Sequence, residues 1–147
     1  MRAKRSRSTV PIVSIFSGPG GMDLGFRRQG FLPILAIDSD PVAVETYNFN
    51  DKRRVARRRD LSKMSDAEIV ALVEEVSPDV RPRGVVGGAP CQSFSIGNVH
   101  PKPNDARKRL LMRYAQILKA LNKRFCLDFF VFENVVGLKS KGNKRYF

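Results

Sequence analysis

Cys91 lies in the run GGAPCQSFSIGN (residues 87–98), between Pro90 and Gln92. Structural cysteines are usually found inside apolar runs. This one follows small residues, where a strand should end and a loop begin. A thiol there, beside basic neighbours and a candidate helix N-terminus, can ionise readily and act as a nucleophile. A second pair, Glu133 and Asn134 in FENV, closes a nearly all-apolar run. A carboxyl in that place is costly unless hydrogen-bonded or protonated, which suits a general acid or a donor to a ring nitrogen. A third stretch, FSGPGG (residues 16–21), brings Gly18, Gly20 and Gly21 close together. Such a turn lets backbone approach a ligand. Its spacing is not GxGxxG, so a dinucleotide pyrophosphate fits it poorly. Asp38 follows about 20 residues later, where a carboxylate can hold ribose hydroxyls. Asp60 can accept an amino hydrogen from adenine, or serve as a cap in a loop. Turn and carboxylates together point to a nucleoside-bearing cofactor.

These residues need elements to hold them. PIVSIF (11–16) is β-rich and almost continuously apolar, as a strand buried on both faces is. GMDLGFRRQ suits a helix stopped by Gly30. FLPILAID (31–38) is a second strand, and PVAVETYNFN a second helix opened by Pro41. Residues 51–60 are basic, with a short strand ending near Asp60. SDAEIVALVEEV has Ser65 and Glu68 at capping-box spacing and an apolar face of Ile69, Leu72, Val73 and Val76. RGVVGG is a short strand. Leu110, Leu111, Tyr114, Ile117, Leu118 and Leu121 recur at helical period. LDFFVFE (127–133) is the last strand. Strands alternating with helices predict a doubly wound α/β fold with a mostly parallel sheet. In such sheets ligands bind at the carboxyl ends of the strands. Phe16–Gly18, Asp38, Asp60, Pro90–Cys91 and Glu133–Asn134 all fall at those ends.

At 147 residues, the length suits one domain. Two distant cysteines and one histidine argue against a disulfide framework, a zinc pair or any metal site. No apolar run is long enough to span a bilayer. The basic segment 1–9 lacks the apolar core of a secretory signal. A reducing cytoplasm is the expected compartment. The formal net charge of +13 attracts polyanions, nucleic acid above all.

FSGPGG, Asp38, GGAPCQSFS and FENV, in this order and at these separations, resemble the DNA cytosine-5 methyltransferases of bacterial restriction–modification systems. NDARKRL and ENVVGLKS extend the resemblance, which covers the chain from Val10 onward. It implies a Rossmann-like S-adenosylmethionine-dependent methyltransferase acting on double-stranded DNA in a bacterial cytoplasm. Phe16, Gly18, Gly20 and Gly21 would line the S-adenosylmethionine pocket, with Asp38 on the ribose and Asp60 near the adenine amino group. Where the family often has a large residue packing on adenine, this chain has Ser39. Cys91 matches the nucleophile, with Pro90 and Gln92 its neighbours. Glu133 and Asn134 match the base-binding pair. Residues 93–104 resemble a loop that closes over a flipped base, with Ser93, Lys102, Arg107, Lys108 and Arg109 toward DNA.

The resemblance also implies a longer protein. Family members carry, after ENV, a QxRxR segment, a target-recognition domain and a C-terminal helix. The expectation is therefore a basic tail (1–9) and a partial catalytic domain (10–147), truncated after the fifth strand: a fragment or truncated reading frame, or a chain completed by a second, complementing chain. Two alternatives stay open: an RNA methyltransferase of the same chemistry, and a non-catalytic remnant that binds cofactor or nucleic acid.

Overall fold

The structure is a computed structural model, and it describes residues 9–89 and 106–135, with side chains given from 109 onward in the second stretch. The elements run β1 (Val10–Ile15), α1 (Gly21–Arg28), β2 (Phe31–Asp38), α2 (Pro41–Asn50), β3 (Ala56–Arg58), α3 (Asp66–Val76), β4 (Gly84–Gly87), α4 (Ala106–Phe125) and β5 (Phe129–Phe132). The described strands form one sheet in the order β3-β2-β1-β4-β5, and every pair is parallel. The order reverses between β1 and β4. That switch point opens a crevice at the strand ends, the place where doubly wound sheets bind ligands.

Local chemistry explains the element ends. Asp40 caps α2 by accepting from Val42 N at 2.8 Å, and Pro41 takes the first helical position. Ser65 and Glu68 close a reciprocal capping box on α3. Gly30 ends α1 in the left-handed region. Pro33 has no N–H to give the ladder, and the β1–β2 register slips beside it, between Ile12 and Val13.

The two faces of the sheet differ. On one, Val13, Ile15, Leu35, Ile37 and Val85 pack against Ile69, Leu72 and Val73 of α3 and Tyr114, Ile117 and Leu121 of α4. On the other, Ala36 and Ala56 pack with Tyr47 of α2. This second face also buries a polar group: Asp23 of α1 accepts from Ser14 Oγ (2.8 Å) and Tyr47 Oη (2.7 Å).

Two expectations need correction. The last strand, expected over 127–133, is shorter, Phe129–Phe132, and Phe130 is 57% and Val131 36% exposed. β5 is an edge among the described strands, so its outer side chains have no neighbouring strand to cover them. Cys126, the second cysteine, stands just before the last strand, where its sequence position suggests a partly buried structural cysteine. It is exposed, at a left-handed φ of 51° just after α4.

Candidate active site

Phe16 follows β1 directly and has a φ of 54°. A non-glycine residue in that region is strained, and such strain concentrates at ligand sites. The bend turns the chain out of the sheet into the glycine turn. Gly18 N then donates to Asp38 Oδ2 at 2.8 Å, and Asp40 N to Asp38 Oδ1 at 2.9 Å. Asp38 thus ties the turn after β1 to the end of β2, and each of its oxygens keeps a lone pair for a further donor.

Phe16, Gly18, Asp38, Ser39 and Asp60 line one cavity of about 150 Å³ with Arg59, Leu61, Gly88 and Leu110. Five residues expected at the cofactor pocket therefore converge. Asp60 is already engaged: its Oδ1 accepts from Ser62 N (3.0 Å) and Ser62 Oγ (2.6 Å), and Oδ2 pairs with Lys63 at 3.4 Å. The Ser62 hydrogen bonds lead in holding its carboxyl below the usual range.

Gly20 and Gly21 do not join this lining. They border a separate cleft of about 410 Å³ between α1 and α2, with Asp23, Leu24 and Arg27. Gly20 caps α1 at φ 92°, and a Cβ there would lie 2.7 Å from the Tyr47 ring. Its glycine is required by close packing on Tyr47 as well as by the turn.

Across the switch point, Glu133 N donates to Gly87 O at 2.9 Å. A Cβ on Gly88 would meet Glu133 Oε2 at 2.8 Å and its carbonyl oxygen at 2.7 Å. Gly88 is what lets the end of β4 lie against this carboxylate. Glu133 itself is exposed on the rim, so it does not bear the burial cost expected of a carboxyl closing an apolar strand. Asn134 Nδ2 donates to Ala89 O at 3.1 Å, and its Oδ1 accepts from Val135 N at 2.9 Å. The Asn134 amide clamps the chain immediately before Pro90. Pro90, Cys91, Gln92, Ser93 and Lys102 lie outside the described residues, as do the side chains of Arg107 and Lys108. Arg109 is exposed in the first turns of α4.

Sequence reading missed several contributors. Arg113 of α4 donates to Leu61 O (3.0 Å) and Met64 O (2.7 Å) and pairs with Asp66 at 2.5 Å. It staples the segment that carries Asp60 and Leu61 to the helix, and no local pattern marks it. Leu110 was read only as a core position, and it reaches the cavity because α4 starts beside the rim. The second glycine of the GG pair was the one visible sign of Gly88's role.

A parallel α/β sheet with a strained turn, a tethered carboxylate and a cavity at its switch point defines a protein of the doubly wound class. The chain belongs to the C-5 cytosine-specific DNA methylase family, whose model matches residues 10–147. The Type II methyltransferase M.FnuDI of Fusobacterium nucleatum is 37% identical over 134 residues, 91% of this chain and 35% of that protein. M.AquIA, a Type II methyltransferase of Picosynechococcus, is 33% identical over 130 residues, 86% of this chain and 49% of its own. A solved E. coli structure, named as a prophage-encoded DNA modification methyltransferase, superposes with a TM-score of 0.73. It is 28% identical and covers 94% of this chain and 35% of its own. The fold is therefore Rossmann-like. The chain spans about a third to a half of the length of these curated relatives. Among the described residues, no helix is long and apolar enough to cross a membrane, and no three His, Cys, Asp or Glu side chains group to hold a metal ion.

Proposed function

We propose that this chain is the S-adenosylmethionine-binding and nucleophile-bearing part of an enzyme that methylates carbon 5 of cytosine in double-stranded DNA. The observation that carries this is the convergence of Phe16, Gly18, Asp38, Ser39 and Asp60 on one cavity at the switch point, in a chain of this family. The donor set suits a nucleoside: aromatic and aliphatic walls for a base, and a carboxylate with free lone pairs for ribose hydroxyls. Phe16, Leu61 and Leu110 would flank the adenine and Asp38 would hold the ribose. When bound, S-adenosylmethionine supplies an electrophilic methyl group on a sulfonium.

Carbon 5 of cytosine is a poor nucleophile because the ring is electron-poor. The Cys91 thiolate would add to carbon 6, breaking the aromaticity and moving an electron pair toward carbon 5. Glu133 would hydrogen-bond or protonate ring nitrogen 3 and stabilise the charge that develops. Asn134 would hold the Ala89–Pro90 junction, and through it the reach of Cys91. After methylation, loss of the carbon-5 proton returns an electron pair to the ring and expels the thiolate. The base must leave the duplex for this; Gln92, Ser93, Lys102, Arg107, Lys108 and Arg109 would attend the flipped base and its phosphates. Gly20 and Gly21 would shape the turn. Full activity would need the further length that the relatives have.

Calorimetric titration with S-adenosylmethionine tests the first half. Binding should be saturable and weaken at least about tenfold in Asp38→Ala, the worth of a charge-assisted hydrogen bond. Equal binding by the variant would remove Asp38 from the pocket. A duplex carrying 5-fluorocytosine tests the second half. Mixed with the chain, the cofactor and the remaining segment of a relative such as M.FnuDI, it should give a denaturation-resistant adduct that Cys91→Ala abolishes. An adduct that persists in the variant would assign the nucleophile elsewhere.

A further inference from the structure

We infer that the outer edge of the sheet at β3 is a second, non-catalytic contact surface for the sugar–phosphate backbone of double-stranded DNA. Residues 51–60, DKRRVARRRD, place six cations against two carboxylates. The structure holds this segment in a fixed shape. Asp51 is buried and accepts from Arg53 Nε (3.1 Å) and Nη2 (2.7 Å), and it pairs with Arg27 at 3.4 Å. Arg54 N donates to Asp51 O at 2.8 Å, and the Arg57 guanidinium donates to Arg54 O at 2.7 Å.

The strand edge is capped at Ala56. The Asn48 amide donates to Ala56 O and accepts from Ala56 N, both at 3.0 Å. With these backbone groups taken, the edge is guarded against pairing with another strand and presents side chains instead. Asp51 is spent on Arg27 and Arg53, and Asp60 on Lys63. Among the described residues, Lys52, Arg54, Arg57, Arg58 and Arg59 pair with no carboxylate.

Four of those five are arginines, whose planar fork matches phosphate geometry. Held on one rigid turn and strand, they lose less freedom on meeting an anion than a basic tail does. Position favours a duplex over other polyanions. Arg59 already lines the cavity at the switch point, so the patch is continuous with the candidate active site. β3 lies three strand spacings from β4, about 14 Å at ~4.8 Å each. That is comparable to the roughly 12 Å width of a major groove, so a duplex seated at the end of β4 can bring its next phosphate row over β3. Only the class of partner is shared with the function proposed above; a duplex without cytosine removes the target base, and variants confined to this segment separate it from phosphate contacts at the active site.

The test uses the full chain and a labelled duplex of A·T pairs only, titrated by fluorescence anisotropy between about 0.05 and 0.2 M salt. The variant is Lys52→Gln, Arg54→Gln and Arg58→Gln together. None of these side chains makes a bond among the described residues, so the Asp51 hub and the Asn48 clamp stay whole. The expected result is a salt slope shallower by roughly 2 to 3, at ~0.9 per phosphate lost, with affinity down at least about tenfold at the low-salt end. A control triple, Arg28→Gln, Lys119→Gln and Lys123→Gln, removes the same charge from exposed helix positions and should retain most of the slope. An equal loss in both triples would reduce the effect to net charge and overturn the proposal. So would an unchanged slope in the test triple, or its losing binding only to phosphatidylserine vesicles. Circular dichroism of both triples, matching the parent, keeps misfolding from passing for a positive result.

Discussion

Asp23 has both carboxyl oxygens engaged inside the protein, by Ser14 and Tyr47. Burial leads the forces on it and pushes its pKa above the usual 3.8, against the two hydroxyl hydrogen bonds and the Arg27 charge. The folded chain thus holds this proton more tightly than the unfolded chain. Its contribution to stability is fully present below the unfolded pKa and is lost as pH rises through the folded value. Asp51 has the opposite sign. Burial alone would raise it, but hydrogen bonds and charge from Arg53, with Arg27, carry the net shift downward. Its contribution is present above the ordinary carboxylate range and lost in acid. In urea unfolding followed from pH 3 to 7 (~3.8 being the ordinary aspartate value), Asp23→Asn should remove a fall in stability with rising pH, and Asp51→Asn a rise. Parallel profiles for the two variants would refute both assignments. Tyr47→Phe should cost about 1–3 kcal/mol, since it leaves a buried carboxyl oxygen unpartnered. It should also disturb the turn at Gly20, which rests on the same ring. In the activity proposed above, Gly88→Ala should reduce methyl transfer more than cofactor affinity, because the new methyl group, although at the cavity's lining, meets the carboxylate and carbonyl oxygen of Glu133. A loss of cofactor binding as large as the loss of transfer would sink that separation.

At the scale of elements, α3 and α4 decide how the cavity's far wall is held. Ser65→Ala breaks the capping box and should cost about 1 kcal/mol in urea unfolding. Arg113→Met removes charge-assisted bonds to two carbonyls and to Asp66. At about 1.5–3 kcal/mol for hydrogen bonds to a charged group, the loss should loosen residues 61–66. Weaker S-adenosylmethionine binding should accompany it, whereas Ser65→Ala leaves that binding unchanged. Comparable affinities in the two variants would deny Arg113 its positioning role. The contrast also marks what was legible in the sequence. α3 was readable because its cap and apolar face are local patterns. β1, β2 and α2 were readable for the same reason. The strand at 56–58 was legible only as a short, basic interruption, because Asn48 and the β2 ladder hold it in place. Arg113 was invisible, since its partners stand about 50 residues away. At the site, the positions of Gly18, Asp38 and Glu133 on the rim were legible because strand ends gather there. The separate orientation of Gly20 was not, because it depends on where the Tyr47 ring falls.

For the molecule as a whole, the formal charge of +13 sets two electrostatic terms against each other. Surface ion pairs such as Arg124–Glu74 (2.6 Å, both partners more than two-fifths exposed) stabilise the fold, but such pairs are worth only about 0–1 kcal/mol each. Self-repulsion acts the other way. Eight of the thirteen excess charges lie in residues 1–8 and 136–147, outside the described residues, and the described residues carry a net +5 (18 Lys and Arg against 13 Asp and Glu). Within a radius of gyration of roughly 15 Å these repel by about 1 kcal/mol more at a Debye length of ~20 Å than at ~6 Å. The expanded unfolded chain relieves most of that repulsion, so its screening favours the folded state. Ion pairs in contact lie well inside a Debye length and are screened less than charges spread over the molecule, so added salt should stabilise the fold. The urea midpoint should therefore rise between about 0.02 and 0.3 M sodium chloride at constant pH. The exposed control triple at Arg28, Lys119 and Lys123 should show a smaller rise from a higher low-salt midpoint. A midpoint that falls with salt would mean that specific pairing, centred on the Asp51 hub and the Arg113–Asp66 staple, dominates over net charge. The large positive field would then act on partners alone, and not on the fold that carries it.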